Sequence, residues 1–505
     1  MNPSDPRSPY EQPRTNAWAS PATEPFGAPG GNDPLPGRDP KDPGSKLGAI
    51  FGWTLFLVCI ITVVLLNQLG GRAPATPPSS PTTQVVDDMD PFGMNARMVA
   101  KLTYALDPKK ESKELGDFFG QIRLAAKADE DRVRAAMVLA DLEGDQAALE
   151  YLDSVQIADQ APYREDAATV RAALTSGSQV SAETQKDLTD RYGWFAKVMF
   201  SRSQDLSTPQ REKLLGSGLM LMAGILLAGF VLIIAFFGGL AAGVVMLVLV
   251  SQGKVRRSFM PPMPGGSVFI ETVGVFVASF LLLIVVKEIM AGFLGGAPGD
   301  AITVGLVAQW ALIITPLYPL LRGMRLGEWR RAIGWHSGKG VWREIRVGVF
   351  GYFASLPILG VALLLTLALS QIVQQIEEQL LHRKPEPASN AIAELISGGS
   401  ALQLVLIFVL ATVWAPLVEE SIFRGALYRH LRGRVGVWLA VPVSGLCFGV
   451  MHGYSGVLLI PVITIGVCFA MIREWRGSLI PTVVAHSLHN ATVMSIVILI
   501  FGALK

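Results

Sequence analysis

Three clusters of ionisable residues interrupt apolar stretches near the end of the chain. They are Glu419-Glu420-Ser421-Ile422-Phe423-Arg424, Phe448-Gly449-Val450-Met451-His452 and His486-Ser487-Leu488-His489-Asn490. The stretches that hold them, 402–430, 435–452 and 478–500, read as membrane-crossing helices. A charge placed in hydrocarbon costs about 2.5–3.5 kcal/mol on insertion scales, so groups kept there are candidates for chemistry. Glu419 is the candidate general base, because a buried carboxylate can take a proton from water. Glu420 has Arg424 four residues on, the favourable order for a helical ion pair. That pair would neutralise Glu420 and leave Glu419 facing a cavity. His452 could orient the water or help hold a metal. His486 and Asn490 share a helix face and could donate hydrogen bonds to a developing oxyanion. Phe448 reads as packing and His489, on a different face, as a bystander.

Spacing tests whether these groups meet. The turn between the first two stretches falls near Arg432 to Val437. Antiparallel helices folded there match depth when their residue numbers sum to roughly 870, which Glu419 and His452 satisfy, each about 20–25 Å from the turn. His486 and Asn490 follow the turn at Arg476-Gly477 by roughly 10 and 14 residues, again mid-membrane. Pro416 and Gly453 permit helix irregularity where a cavity must open.

The elements that carry them follow from composition. Of 505 residues 50% are hydrophobic and only 17% charged, with a mean hydropathy of +0.41. Those values predict an all-α polytopic membrane bundle. A net charge of +2 argues neither for nor against nucleic acid, but no basic run interleaved with aromatics appears outside the loops between hydrophobic segments, and no nucleic-acid partner is expected. Cys59, Cys447 and Cys468 all lie in apolar stretches and form no metal or disulfide pattern. Residues 1–46, rich in Pro, Gly, Ser, Asn and Asp, read as disordered, and 47–69 as a transmembrane signal anchor. A linker over 70–92 leads to a charged, helically periodic domain over 93–212, tetratricopeptide-like or a bundle, in which Asp131 to Val155 forms two helices joined at Glu143-Gly144-Asp145. Membrane helices fill 213–400 and the chemistry-bearing helices 401–505. Eight spans after residue 212, near 214–250, 267–290, 303–321, 347–374, 402–430, 435–452, 457–472 and 478–500, join the anchor to make about nine. Arg and Lys cluster at 254–257, 322–346, 429–434 and 473–476, so the positive-inside rule predicts a cytoplasmic N-terminus and an external 93–212 domain. A bacterial inner membrane is the expected setting.

E-E-x-x-x-R, F-x-x-x-H and H-x-x-x-N, in this order and with intact spacing, resemble the motifs of the CPBP family. That family includes the type II CAAX prenyl endopeptidase, bacteriocin-processing enzymes and abortive-infection proteins. The resemblance covers Glu419 to Asn490, with a core over roughly 400–500, and it extends to the eight-helix membrane portion; residues 1–212 find no counterpart. It implies an intramembrane endopeptidase acting on a membrane-embedded, prenylated or lipidated protein or peptide. By resemblance Glu419 is the base with His452 as its partner, His486 and Asn490 serve the oxyanion, and Glu420, Arg424 and Phe448 support them. Glu419, His452 and His486 suit a Zn2+ site and a metal-free site alike. A substrate or partner protein is the expected ligand of 93–212. Three rival readings stand beside this one. A catalytically silent scaffold or immunity protein could share the fold. A rhomboid-like serine protease would use Ser455 of Gly453-Tyr454-Ser455-Gly456 with His486 or His489 as base. A transporter would relay protons on the mid-membrane carboxylates, but no inverted repeat accompanies it.

Overall fold

The computed structural model describes residues 24–25, 39–70, 90–106, 116–157, 162–175, 180–294, 298–380, 400–454 and 456–504. Ser455, and His382 in the loop after the 347–374 span, lie outside them. Among the described residues the fold is helical apart from a two-residue antiparallel pairing of Glu24–Pro25 with Arg256–Arg257 and an isolated bridge between Asp39 and Pro262. The chain forms two compact units. One comprises Met1–Arg72, Val231–Glu386 and Gly399–Met494, the other Ala73–Phe230, Pro387–Gly398 and Ser495–Lys505.

The membrane elements are α1 (Lys46–Gly70), α2 (Gly218–Ser251), α3 (Val268–Leu294), α4 (Thr303–Leu321), α5 (Val341–Gln379), α6 (Ala401–Arg432), α7 (Val437–Val450), α8 (Leu459–Arg476) and α9 (Ile480–Leu504). Among the described residues eight helices are long and apolar enough to cross a membrane, and the chain is an integral multi-pass membrane protein. The expected stretch 435–452 is the exception. Its helix α7 has 14 residues, a rise of about 21 Å against a hydrocarbon core of about 30 Å. It stops because Gly453 turns to φ +72° just beyond its end. α2 runs unbroken through Gly238-Gly239 as one helix, without the bend that the glycine pair allows.

Two glycine contacts bring membrane helices close. A Cβ at Gly52 of α1 would fall 2.8 Å from the Glu271 nitrogen of α3, and one at Gly274 would fall 2.9 Å from the Gly52 carbonyl. On α7, a Cβ at Gly445 would lie 2.9 Å from the Val467 nitrogen of α8. Small residues let backbones approach in this way where apolar surface alone gives no drive to associate. The second contact sets the height of Phe448 on α7 beside α8.

In the other unit, Asp129–Leu142 and Asp145–Ser154 form the expected helix pair. They are joined at Glu143-Gly144, where Gly144 takes φ +99°. Arg211 donates to Asp141 at 2.8 Å, and Tyr104 donates to the other Asp141 oxygen at 2.8 Å. Both acid and base are buried there.

The loop before α5 holds a titratable group outside the spans. His336 is buried, its Nε2 donates to the Gly477 carbonyl (3.0 Å), and its Nδ1 accepts from the Gly338 amide (3.2 Å). Only the neutral ring can do both. Burial, and then the Arg473 charge, hold its pKa down at about 4 from 6.5. The folded state therefore binds fewer protons than the unfolded one as pH falls from 6.5 towards 4, and stability is lost across that window. The loss is on the order of 3 kcal/mol. Melting of the detergent-solubilised protein is expected to weaken between pH 7 and 5. His336→Gln, which can still donate and accept, should flatten the curve relative to wild type; parallel curves would show that His336 does not set the slope.

Candidate active site

α6 is not a uniform α-helix. It runs as α-helix over Ala401–Val409, π-helix over Leu410–Trp414, α-helix over Ala415–Glu419, π-helix over Glu420–Leu427 and α-helix over Tyr428–Arg432. Pro416 explains the first break, because it offers no N–H and its ring crowds the carbonyl one turn back, at Thr412. The widened turns of a π-helix absorb that mismatch and recur at functional sites. In the second π segment Gly425 faces Ile333, whose Cγ1 would lie 2.3 Å from an added Cβ. The irregularity expected from Pro416 and Gly453 is present at both places.

The break separates two adjacent carboxylates. Glu420 is fully buried, and its Oε1 accepts from Arg424 Nη1 (2.8 Å) and from His486 Nδ1 (2.9 Å). Glu419 keeps 18% of its side chain accessible, and its Oε2 stands 4.0 Å from His486 Nε2. That Oε2 has no hydrogen-bond partner among the described residues although it is buried. Buried polar atoms without a partner are few in native proteins and call for an explanation. Others lie in the same helices: Glu420 Oε2, Arg424 Nε, Trp414 Nε1 and His489 Nδ1.

Arg424, with no exposed side-chain surface, donates its Nη2 to the Gly466 carbonyl of α8 (3.0 Å). Its guanidinium lies 4.2 Å from the Phe448 ring centroid and 5.3 Å from that of Phe469. Phe448 thus joins the clusters: its ring is 4.6 Å from His452 and 5.8 Å from His486. His452, just past the end of α7, is exposed. Its Nδ1 donates to the Phe448 carbonyl (2.8 Å), so Nε2 keeps its lone pair. On α9, Asn490 donates an Nδ2 hydrogen to the Ala411 carbonyl (2.7 Å), inside the first π segment. His489 meets Tyr352 edge-on at 6.1 Å.

The residues singled out from spacing are therefore brought together unevenly. Glu419, Glu420, Arg424, Phe448 and His486 form one contact group. His452 joins it through Phe448 and makes no hydrogen bond to Glu419 among the described residues. Asn490 joins it through the backbone of α6. Spacing missed the bond from His486 to Glu420, and it missed Phe469, whose ring lies 5.2 Å from His486. Nothing in the local sequence signals either, although the apolar run of α8 places Phe469 on the same helix as Gly466.

A metal is a poor fit to this arrangement. Among the described residues the group whose three ligand atoms lie within 4.8 Å of one another is Asp90, Glu130 and Asp131, not Glu419, His452 and His486. His486 Nδ1 is taken by Glu420, which leaves Nε2 as the ring's ligand atom. Asp90 is itself held by two bonds from Arg134, both 2.8 Å.

Residues 401–492 match the family model of the type II CAAX prenyl endopeptidase, Rce1-like. This segment is a CPBP-family domain and includes all three motif clusters. No curated protein and no solved structure matches the chain.

Proposed function

We propose that the protein is an intramembrane endopeptidase that hydrolyses a peptide bond of a membrane-associated, prenylated or otherwise lipidated protein or peptide. The observation that carries this reading is the buried Oε2 of Glu419, without a hydrogen-bond partner among the described residues and 4.0 Å from His486 Nε2. A carboxylate oxygen in that setting has capacity for a proton and for a bound water. Glu419 takes a proton as the water oxygen bonds to the substrate carbonyl carbon, and the carbonyl electrons move to oxygen. The C–N bond then breaks and the proton passes to the departing amine. His452 accepts a hydrogen bond from the water at Nε2. The second amide hydrogen of Asn490 serves the oxyanion, and the His486 ring joins it when Nε2 carries a proton as well as Nδ1. Glu420 fixes the His486 ring by accepting from Nδ1. In the same reading the basic loops are cytoplasmic and the 93–212 domain engages a substrate or partner protein on the opposite side.

The test is proteolysis by the purified full-length protein in liposomes against prenylated and membrane-anchored peptides. Wild type is compared with Glu419→Gln and Ser455→Ala, with and without chelator. Cleavage should survive Ser455→Ala and chelation and should vanish in Glu419→Gln. Loss in Ser455→Ala alone would favour a serine protease. Loss on chelation would bring back a metal at Glu419, His452 and His486. Silence across all substrates would favour the scaffold reading.

A further inference from the structure

The residues just before α1 reach the end of the helix that carries the two glutamates. Arg429, in the last α-helical turn of α6, is 4% exposed at its side chain. It lies ten residues beyond Glu419, about 15 Å along the helix. A guanidinium buried there without an answering charge is strongly destabilising. The answer comes from the other end of the sequence. Arg429 Nε and Nη2 donate to Asp42 Oδ1 at 3.1 and 2.9 Å, and Nη1 donates to Asp39 Oδ2 at 2.8 Å. Nε also reaches Asp42 Oδ2 at 3.2 Å, and Arg429 further meets the Ala332 carbonyl at 3.4 Å and the face of Phe269, 5.7 Å away.

The segment supplying these carboxylates is built into the fold. The Pro43 carbonyl accepts from the Ser267 and Val268 amides (3.0 and 3.1 Å), satisfying donors at the start of α3 that have no partner within the helix. The Ser45 amide donates to Ser267 Oγ (2.9 Å). Asp39 donates its amide to the Pro261 carbonyl (3.2 Å) and accepts from the Met263 amide (3.0 Å). The passage is tight: a Cβ on Gly44, at φ +109°, would lie 1.9 Å from Ser267 Oγ, and one on Gly266 would lie 2.4 Å from the Asp42 carbonyl. Residues 39–45 thus depart from the disorder expected of 1–46. Composition reported their polarity but not the buried cation that balances it.

The consequence for the site runs through the π segment. Holding the ends of a π segment resists a slip to α register, which would rotate the residues upstream by about 100° for each residue displaced. Such a slip would move Glu419 and Glu420 together. Downstream of the segment Arg429 is held by Asp39 and Asp42, and Arg432 by Glu474 at 3.1 Å. Within the segment Arg473 Nε donates to the Arg424 carbonyl (3.1 Å). We propose that Asp39 and Asp42 are positioning residues for the Glu419–Glu420 pair, acting through Arg429; the assignment rests on the peptidase reading above.

The test uses full-length protein in liposomes and an internally quenched farnesylated peptide, with Asp39→Asn/Asp42→Asn, Asp42→Glu and Glu419→Gln. Hydrogen exchange of the amides of 420–428 is followed in parallel. In the double variant kcat should fall about tenfold with KM within about twofold, and exchange of 420–428 should speed up by about tenfold while that of 130–140 stays put. Asp42→Glu should restore most of both. Should the double variant fail to fold, Asp39→Asn alone, whose carboxylate is 31% exposed, should show the same pattern at about threefold. Unchanged exchange across 420–428, or a kcat within about twofold of wild type, overturns the proposal. If instead wild type does not cleave, or Glu419→Gln cleaves equally well, the peptidase reading fails. The exchange result then still decides whether the strap fixes the helix.

Discussion

Glu419→Gln is expected to lower kcat on a cleavable lipidated peptide by roughly 10²–10⁴, the range supplied by a positioned general base, with KM little changed. The substitution keeps the volume and shape of the side chain and removes its capacity to take a proton. It should also fold, because the Glu419 oxygen nearest His486 has no hydrogen-bond partner to lose among the described residues. A drop in kcat without a drop in melting temperature separates chemistry from structure. His452→Ala should fall by a comparable factor. If Glu419 and His452 act on one water, the double variant should be scarcely worse than either single one. The structure makes that coupling a demanding test, since His452 reaches the group through the Phe448 ring, 4.6 Å away, rather than by a direct bond. Multiplicative losses would mean that His452 does not share the water with Glu419. A Glu419→Gln variant retaining a third of wild-type kcat would remove Glu419 from the chemistry.

How far the sequence disclosed this arrangement depended on distance along the chain. Apolar runs of span length gave the helices, because bilayer thickness fixes their length. The Glu420–Arg424 pair was legible because four residues place two side chains on one face of a helix, and the wider π turn still keeps them within 2.8 Å. The turn at Gly477, at φ +69°, was legible because glycine ends helices in that conformation. The bond from His486 to Glu420 joins residues 66 apart in sequence, and no periodicity encodes which helices become neighbours. The π segments were half legible: Pro416 announces a broken ladder but not how the ladder is repaired. The span 435–452 was overestimated in length: Gly453 announced an irregularity beyond it, but hydropathy does not show that the helix closes at Val450. The strap at Asp39 and Asp42 was hidden because its partner lies almost 400 residues away. A polar stretch looks unable to order itself when the charge that orders it is not in view.

Arg424→Leu is expected to destabilise the protein by roughly 3–5 kcal/mol, the cost of leaving a buried carboxylate without its counter-charge. Glu420 has no exposed side-chain surface, and its Oε2 has no partner among the described residues even in the intact site. Loss of Arg424 would leave it one bond, from His486. The pair need not stabilise the fold to be costly to break. Removing both charges together, as in Glu420→Leu/Arg424→Leu, should recover most of the loss, because a well-packed apolar pair often equals or exceeds a buried ion pair. Phe448 and Phe469, on which the guanidinium rests, already line the space with apolar surface. Activity should not return with stability. His486 would have lost the acceptor that orients its ring, and Nε2 would no longer be held near Glu419. Unfolding in a denaturant series in mixed micelles, read beside kcat for the same three proteins, separates the two effects. Recovery of both would make the pair a packing device and would free His486 from dependence on Glu420. Recovery of stability alone would mean that the buried ion pair is retained for the orientation of His486, at a cost to the fold that the apolar pair avoids.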